Sequence, residues 1–412
     1  MDTIYICGVG MTPFGRHLDK TVKQLTRSAV TAAMQDVGCE IPDIEAAYFT
    51  SSTNAYMQGQ VFVPGQIALR SMGFEGIPMF NVENACASGS SAFNLAVQAL
   101  KAGEQDVVLA VGTEKMYIDD KTRMFGVFDS GWDIETVESN QANLLALGEG
   151  VEVPAGTTSD KPFSVFMEVY AAFCRQHMHT FGTTQKQIAA VCAKNHQHSV
   201  HNPNAQFRNT YTVEEVLAAP PITYPLTLPM CAPISDGSAA VILCTEAGLQ
   251  KLNADKSRAI KVLASVVQTG SNRDATDYQN HITAVAARKV YEKSGVSPAD
   301  VDVVEVHDAT AMGEILQAEN LQLVDFGAAG PAAARGEFTI GGRVPINPSG
   351  GLESRGHPIS ATGLAQIHEL VTQLRGEAGA RQVEGARIAL QENGGGLYGY
   401  EEAVAVLTLL GH

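Results

Sequence analysis

The feature that most constrains this chain is that it contains a weak copy of itself. Thr21 to Gly38 has helical spacing of small and apolar residues (Leu25, Ala29, Ala32, Ala33, Val37). Ile41-Pro42-Asp43-Ile44-Glu45 and an apolar run from Ala46 to Thr50 follow it. The order returns at Ile282 to Gly295, then Ser297-Pro298-Ala299-Asp300-Val301-Asp302, then Val303 to His307. Each copy is a helix closed by glycine, a proline turn with acids, and a β-rich run. The parallel continues past Cys86, where Gly89-Ser90-Ser91-Ala92-Phe93 opens a helix to Leu100, followed by Gly103 and a strand from Asp106 to Gly112. It continues likewise past His357, where Ser360-Ala361-Thr362-Gly363 opens a helix to Leu374, followed by Gly376 and a strand from Ala386 to Gln391. Two copies of strand, helix, strand, helix, strand predict two similar α/β halves with mainly parallel, buried strands. Ala239 to Cys244 and Ala403 to Leu410 supply the closing strands. The segment 117–219 lacks the repeat and is rich in Phe, Met, His and Asn, so it is expected to be an insertion covering one face. The expected organisation is 1–116 with 220–256 as one half, 117–219 as the insertion, and 257–412 as the other half.

Composition narrows the class. With 412 residues, 45% hydrophobic and only 17% charged, the chain is expected to bury an extensive core. A net charge of −16 argues against a general nucleic-acid or anionic-membrane binder. Apolar runs are short and interrupted, so no spanning helix is expected, and Met1 to Gly10 reads as a strand without the basic start of a signal peptide. Seven cysteines without framework spacing point to reduced thiols and a cytoplasmic setting.

The repeat places Cys86 and His357 at equivalent positions, each just before a helix that begins in small residues. If the halves pack about a pseudo-twofold axis, the two helix starts meet. The helix N-terminus would then acidify the thiol and the imidazole would take its proton, giving a thiolate–imidazolium pair. Asn347-Pro348-Ser349-Gly350-Gly351 and Gly356-His357-Pro358 read as a rigid loop presenting one imidazole. His307 and Asp308 end a strand where ligands lie in α/β sheets, with Asp308 able to cap the next helix. Asn393-Gly394-Gly395-Gly396 offers successive N–H groups for an oxyanion hole, or a tight strand connection. His177, His179, His196, His198 and His201 lack a zinc pattern and read as a polar surface of the insertion, so no metal is expected. Phe163, Phe166, Met167 and Tyr170 have helical spacing, which fits core packing better than a pocket lining.

Taken together, the blocks resemble the thiolase superfamily across essentially the whole chain. They are Gly8 to Gly15, Asn81 to Ser91, Gly112 to Met116, Lys194-Asn195-His196 with Asn202-Pro203, Ser235 to Ala240, Asn347 to Gly351, Gly356-His357-Pro358 and Ala361 to Gly363. His307-Asp308 resembles the sterol-carrier-type and archaeal branch. The resemblance implies a thiolase fold, a layered α-β-α-β-α core with an inserted loop domain. It implies Cys86 as acyl-accepting nucleophile, His357 as its activator, and His307 holding a water in a second oxyanion site. The backbone of Cys86 and of the Gly394–Gly395 region would bind the acyl–enzyme carbonyl, with Asn347 and Ser349 among the substrate-binding residues. The implied reaction, in CoA-linked lipid metabolism, is thiolysis of a 3-ketoacyl-CoA or the reverse Claisen condensation. Coenzyme A thioesters are then substrates and no cofactor is tightly bound.

One departure matters. Thiolases use a second cysteine as acid/base, either in a C-terminal Cys-x-Gly or just after His-Asp. Here Glu392 and Ala309 stand at those places. Glu392 substitutes, or the chain is a slow thiolase on a special substrate, or it passes the acyl group to a non-CoA acceptor. Retro-aldolases of this branch tend to lose the nucleophile that this chain keeps. The resemblance also implies a homodimer or tetramer and allows a small OB-fold partner protein, for which a non-catalytic acyl-CoA-binding subunit is the alternative reading.

Overall fold

The computed structural model describes residues 3–412, so Met1 and Asp2 of the expected first strand lie outside the described residues. The first half contributes β1 (Tyr5–Met11), β2 (Ala46–Thr50), β3 (Met79–Val82), β4 (Val107–Glu114) and β5 (Gly237–Cys244). The second contributes β6 (Ile260–Thr269), β7 (Val303–Glu305), β8 (Ile388–Gly395) and β9 (Val404–Gly411). They hydrogen-bond in the order β3-β2-β4-β5-β1-β6-β9-β8-β7. The halves join at a narrow seam, Tyr5 and Ile6 opposite Lys261 and Ile260. Read outward from that seam, the two halves match strand for strand. Beyond β7 the match to β3 is a parallel bridge between Val304 and Ile346.

The expectation of mainly parallel strands is corrected. β2 runs parallel to β3 and β4, and β7 to β8. The β1–β5, β4–β5, β1–β6, β8–β9 and β6–β9 pairings are antiparallel. The continuous apolar sequences of β4, β5 and β9 report burial on both faces of the sheet, and burial says nothing of direction. Direction is set by connection length. The short turn from β8 to β9 permits only a hairpin.

Helices complete the layers: α1 (Val22–Val37), α2 (Ser88–Ala102), α3 (Val165–Phe181), α4 (Gln185–Ser199), α5 (Ile282–Ser294), α6 (Ala311–Asn320) and α7 (Thr362–Leu374). α1 starts in a Thr21–Gln24 capping box and stops at left-handed Gly38, as its sequence predicts. It packs its Leu25–Ala29–Ala33 stripe outside β1 and β5, while α5 packs outside β6 and β9. Between the two sheet halves lie α2 and α7. α2 touches β2 and β4 of its own half and β6 and β9 of the other; α7 touches β8 of its own half and β1 and β5 of the other. Phe93 and Val97 therefore share one core with Leu364, Ile367 and Leu370. The layering is α-β-α-β-α, and its middle layer ends at the two helix starts singled out by sequence.

Those starts are in backbone contact. A Cβ on Gly89 would sit 2.7 Å from the carbonyl oxygen of Ser360, and one on Gly363 would sit 2.7 Å from the amide of Ser90. Glycine is required on both sides of the seam, because any side chain would push the two halves apart. The insertion, with α3 and α4, packs chiefly on the second half, burying Cys174, Ile188 and Cys192 with Met312, Ile346 and Leu407.

Candidate active site

The side chains of Cys86, His307 and His357 converge where the middle layer ends. The Cys86 sulfur and one ring nitrogen from each histidine all lie within 4.8 Å of one another. The imidazole centroids are 5.2 Å apart at 68°. Cys86 and His357 are partly exposed, whereas His307 is buried.

Cys86 sits in a single tight turn, Ala85–Ala87, directly before α2. Ala85 has φ of 48°, a strained conformation for a residue with a Cβ, costing about 1–3 kcal/mol. Ser88 anchors the turn by donating to the Ala85 carbonyl at 2.6 Å and accepting from the Asn84 amide at 2.8 Å. The Gly396 amide is directed at the thiol. His357 occupies the matching turn of the second half. Its backbone amide donates to Ser235 Oγ at 3.0 Å, and its Nδ1 lies 2.7 Å from Thr362 Oγ1. The Thr362 hydroxyl proton goes to the Pro358 carbonyl at 3.1 Å, so Thr362 must accept from Nδ1–H. That fixes the tautomer and leaves the Nε2 lone pair free as a base.

Electrostatics correct one expectation. Burial pushes the Cys86 thiol up to about 12, the Glu114 charge adds to it, and the Gly396 amide opposes both. Burial, then His307 and Arg355, hold His357 well below the usual imidazole range. Both shifts favour a neutral thiol beside a neutral imidazole over a preformed ion pair. Burial of the turn opposes the acidification expected of a helix start. A neutral imidazole is still the form that can take the thiol proton. His307 is pushed down to about 4 by burial, and its Nε2 has no protein partner.

Glu392 projects from β8 and is fully buried. Oε2 accepts the His307 amide at 2.9 Å and Oε1 has no partner. Burial and then the nearby Glu402 charge raise its carboxyl well above the ordinary range, which favours the protonated form. Tyr170 of α3 lies in the field of Cys86, Glu402 and Glu392. It faces this site, while its neighbour Phe166 stacks on Trp132 in the insertion's own core.

Other sequence-picked residues have different tasks. Asn347 and Ser349 are completely buried, and their polar atoms are committed to the protein, which corrects their placement among substrate-binding residues. Asn347 accepts the Val306 amide at 2.9 Å and donates to Glu314 at 3.1 Å. Ser349 donates its hydroxyl to Glu305 at 2.8 Å and its amide to the same carboxylate at 3.0 Å. Gly395 is packed under the Cys86 turn, and Gly394 lies against Glu402. The amide aimed at the thiol belongs to Gly396, one residue beyond the expected pair. Asp308 caps the short helix Gly351–Arg355 through the Leu352 amide at 2.8 Å rather than its own following helix. Of the insertion's histidines, His179 and His201 are exposed as expected, but His177, His196 and His198 are buried, with partners such as Glu319, the Asn209 carbonyl and the Asn347 carbonyl. Thr362, Glu305 and Arg355 had no signal in sequence, because their roles depend on contacts between loops distant in the chain.

A cysteine turn and a histidine turn face each other at the seam of a duplicated five-layer α/β fold. The comparisons name the family. The chain matches the thiolase N-terminal domain over residues 4–215 and the thiolase C-terminal domain-like family over residues 264–408. It is 37% identical over 400 residues to an acetyl-CoA acetyltransferase of Methanothermobacter thermautotrophicus, covering 97% of this chain and 98% of that one. It is 38% identical to human sterol carrier protein 2, covering 95% of this chain and 69% of that one. Among solved structures, the Ltp2-ChsH2(DUF35) aldolase superposes with a TM-score of 0.77 at 21% identity, covering 99% of this chain and 97% of that chain. Human mitochondrial 3-ketoacyl-CoA thiolase, solved with CoA, superposes with 0.68 at 17% identity, covering 100% and 98%. The chain belongs to the thiolase family. Among the described residues no helix is long and apolar enough to cross a membrane.

Proposed function

We propose that the chain is an acyl-CoA acyltransferase that carries the acyl group on Cys86 and cleaves a 3-ketoacyl-CoA with CoA, or condenses two acyl-CoAs in reverse. The observation that carries this reading is the convergence of the Cys86 sulfur with the two histidine nitrogens within 4.8 Å. Nε2 of His357 takes the thiol proton as sulfur attacks the keto carbonyl. The amides of Cys86 and Gly396 face the oxyanion that forms there. Breaking the carbon–carbon bond leaves an enolate whose thioester oxygen lies toward His307, whose free Nε2 can hold a water. Protonated Glu392 gives its proton to the enolate carbon and becomes the carboxylate that then accepts the proton of CoA's thiol. CoA attacks the acyl–enzyme and regenerates Cys86. The free Oε1 and raised pKa of Glu392 favour this substitution for the missing cysteine.

A second reading, transfer of the acyl group to a non-CoA acceptor, follows if Glu392 cannot exchange protons with substrate. The aldolase neighbour is named with a DUF35 subunit, which favours a partner subunit here too, and a small OB-fold protein fits that place. A homodimer or tetramer belongs to the same reading: edge strand β3 leaves Phe80 half exposed two residues from Val82, where the chain turns toward the Cys86 loop. All seven cysteines are free, in keeping with a cytoplasmic setting.

The test is intact-protein mass after mixing with acetyl-CoA and a panel of 3-ketoacyl-CoAs, Cys86→Ala in parallel, with free CoA added last. An acyl adduct that requires Cys86, forms from a 3-ketoacyl-CoA and disappears with CoA is the expected result. An adduct from acetyl-CoA alone moves the assignment to the non-CoA acceptor. No adduct from any donor leaves the non-catalytic subunit reading.

A further inference from the structure

We propose that the buried Glu305–Arg355 ion pair is a positioning device that sets His357 against His307. The inference rests on the reading of His357 as the base for Cys86. Glu305 lies two residues before His307 on β7, and Arg355 two residues before His357. Arg355 Nη1 donates to Glu305 Oε2 at 2.9 Å, with the two side chains 1% and 0% exposed. Ser349 ties the pair together, accepting from Arg355 at 3.1 Å and donating both hydroxyl and amide to the same carboxylate.

Three observations say the pair does more than fill space. First, a buried ion pair is seldom more stable than apolar packing of the same volume, and its attested use is to fix one arrangement. Second, the loop needs fixing. Between Ile346 and His357 it lies outside the strands, bridging β7 from Ile346 to Val304 and, from His357, reaching Ile234 in the loop before β5. Gly350, Gly351 and Gly356 all have positive φ, so the local chain does not define its own path. Third, the pair is electrically unfinished: Nε and Nη2 of Arg355 have no protein partners, and its charge reaches His357 and disfavours the imidazolium.

The charged and titratable groups around His357 are Cys86 from its turn, His307 at the end of β7, and Arg355 on its own loop. Farther out lie Glu305 behind Arg355, Glu392 on the His307 amide, Glu114 on the Ser360 amide, and the Asp236–Lys115 pair next to Ser235. Arg355 disfavours the imidazolium of His357, and Glu305 stands behind it with the opposite sign, so removing one or the other shifts the field in opposite senses.

The experiment compares Glu305→Gln, Arg355→Gln and Arg355→Lys with the unaltered chain. It measures the pH dependence of acyl-enzyme formation by mass, together with thermal unfolding. Glu305→Gln leaves Arg355 unopposed, lowers the His357 pKa, and moves the acidic limb down by on the order of half a pH unit. Arg355→Gln removes the cation and moves the limb up by a similar amount. Both slow acylation about tenfold or more through misplacement of the ring. Arg355→Lys keeps the charge and loses the fork, so its limb stays put while its rate falls, and this conservative variant is the one to read if either glutamine variant fails to fold. Limbs that move in the same direction, or Arg355→Lys acylating at the unaltered rate, overturn the proposal. Failure of the unaltered chain to form any adduct on Cys86 overturns the functional reading instead.

Discussion

The two turns that meet at the seam descend from one pattern and differ in almost everything that matters chemically. The Cys86 turn is held by small hydroxyl groups around one carboxylate: Ser52, Ser88 and Ser360 exchange hydroxyl bonds, and the buried Glu114 accepts from Ser51, Ser52, Thr53 and Ser360. The His357 turn stands on a charged floor. Glu305, Asp308, Glu314 and Glu353 are buried with only Lys194 and Arg355 as cations, and Asn195 bridges three of these carboxylates. Burial raises all four carboxyls, Glu305 to about 7. The repeat supplies two helix starts facing each other, and their different surroundings let one present a thiol and the other an imidazole, the nucleophile and base of the proposed reaction. A nucleophile needs a strained, accessible perch with amides around it. A base needs one tautomer, one orientation and a field that keeps it neutral.

Removing the imidazole should break the division of labour most severely. His357→Ala is expected to slow acyl-enzyme formation by about 10²–10⁴-fold. Single-turnover mass measurements at pH 7 check this, and added imidazole should restore part of the rate. Loss of less than tenfold would mean that Cys86 is activated by something else, with His307 the next candidate.

A smaller and more selective loss is expected for Glu392→Gln. The amide keeps an oxygen for the His307 N–H but can neither give nor take a proton. Acylation of Cys86 by acetyl-CoA, which needs no carbon acid, should change little, whereas cleavage of a 3-ketoacyl-CoA should fall about 10²-fold. Comparing the two donors in one preparation separates these steps, and equal losses on both would make Glu392 a structural support of His307.

The architecture was legible in sequence because repetition is a long-range signal written in order, not in contacts. The closing glycines 38 and 295 and the proline turns that follow them marked both copies. Strand direction was not legible, since β4, β5 and β9 are apolar on both faces. Cys86 and His357 were legible for the same reason as the fold: their equivalence in the repeat. The tasks of Asn347 and Ser349 were misread because a buried polar loop and a substrate-binding loop use the same residue types, and only hydrogen-bond partners tell them apart. The direction of the thiol shift was missed because a helix start seen in sequence carries no information about how much protein covers it.

Thr362 gives the smallest expected effect and the sharpest view of the base turn. Its hydroxyl fixes the imidazole tautomer by accepting from Nδ1 at 2.7 Å while donating to Pro358 at 3.1 Å. Thr362→Val keeps the shape and removes both bonds. A net hydrogen bond is worth about 0.5–1.5 kcal/mol, so acylation should slow by roughly two- to tenfold as the ring proton is freed to move to Nε2. Thr362→Ser should recover the rate, because the same hydroxyl returns with only a methyl lost. Because desolvation, then His307 and Arg355, disfavour the imidazolium of His357, its acidic limb should fall below 6.5 in the unaltered chain. Below the unfolded-state pKa the neutral ring is a liability to stability, so folded protein should also lose stability as the pH drops through 6.5. If Thr362→Val leaves both rate and limb unchanged, the tautomer is fixed by something other than this hydroxyl, and the free lone pair on Nε2 loses its structural cause.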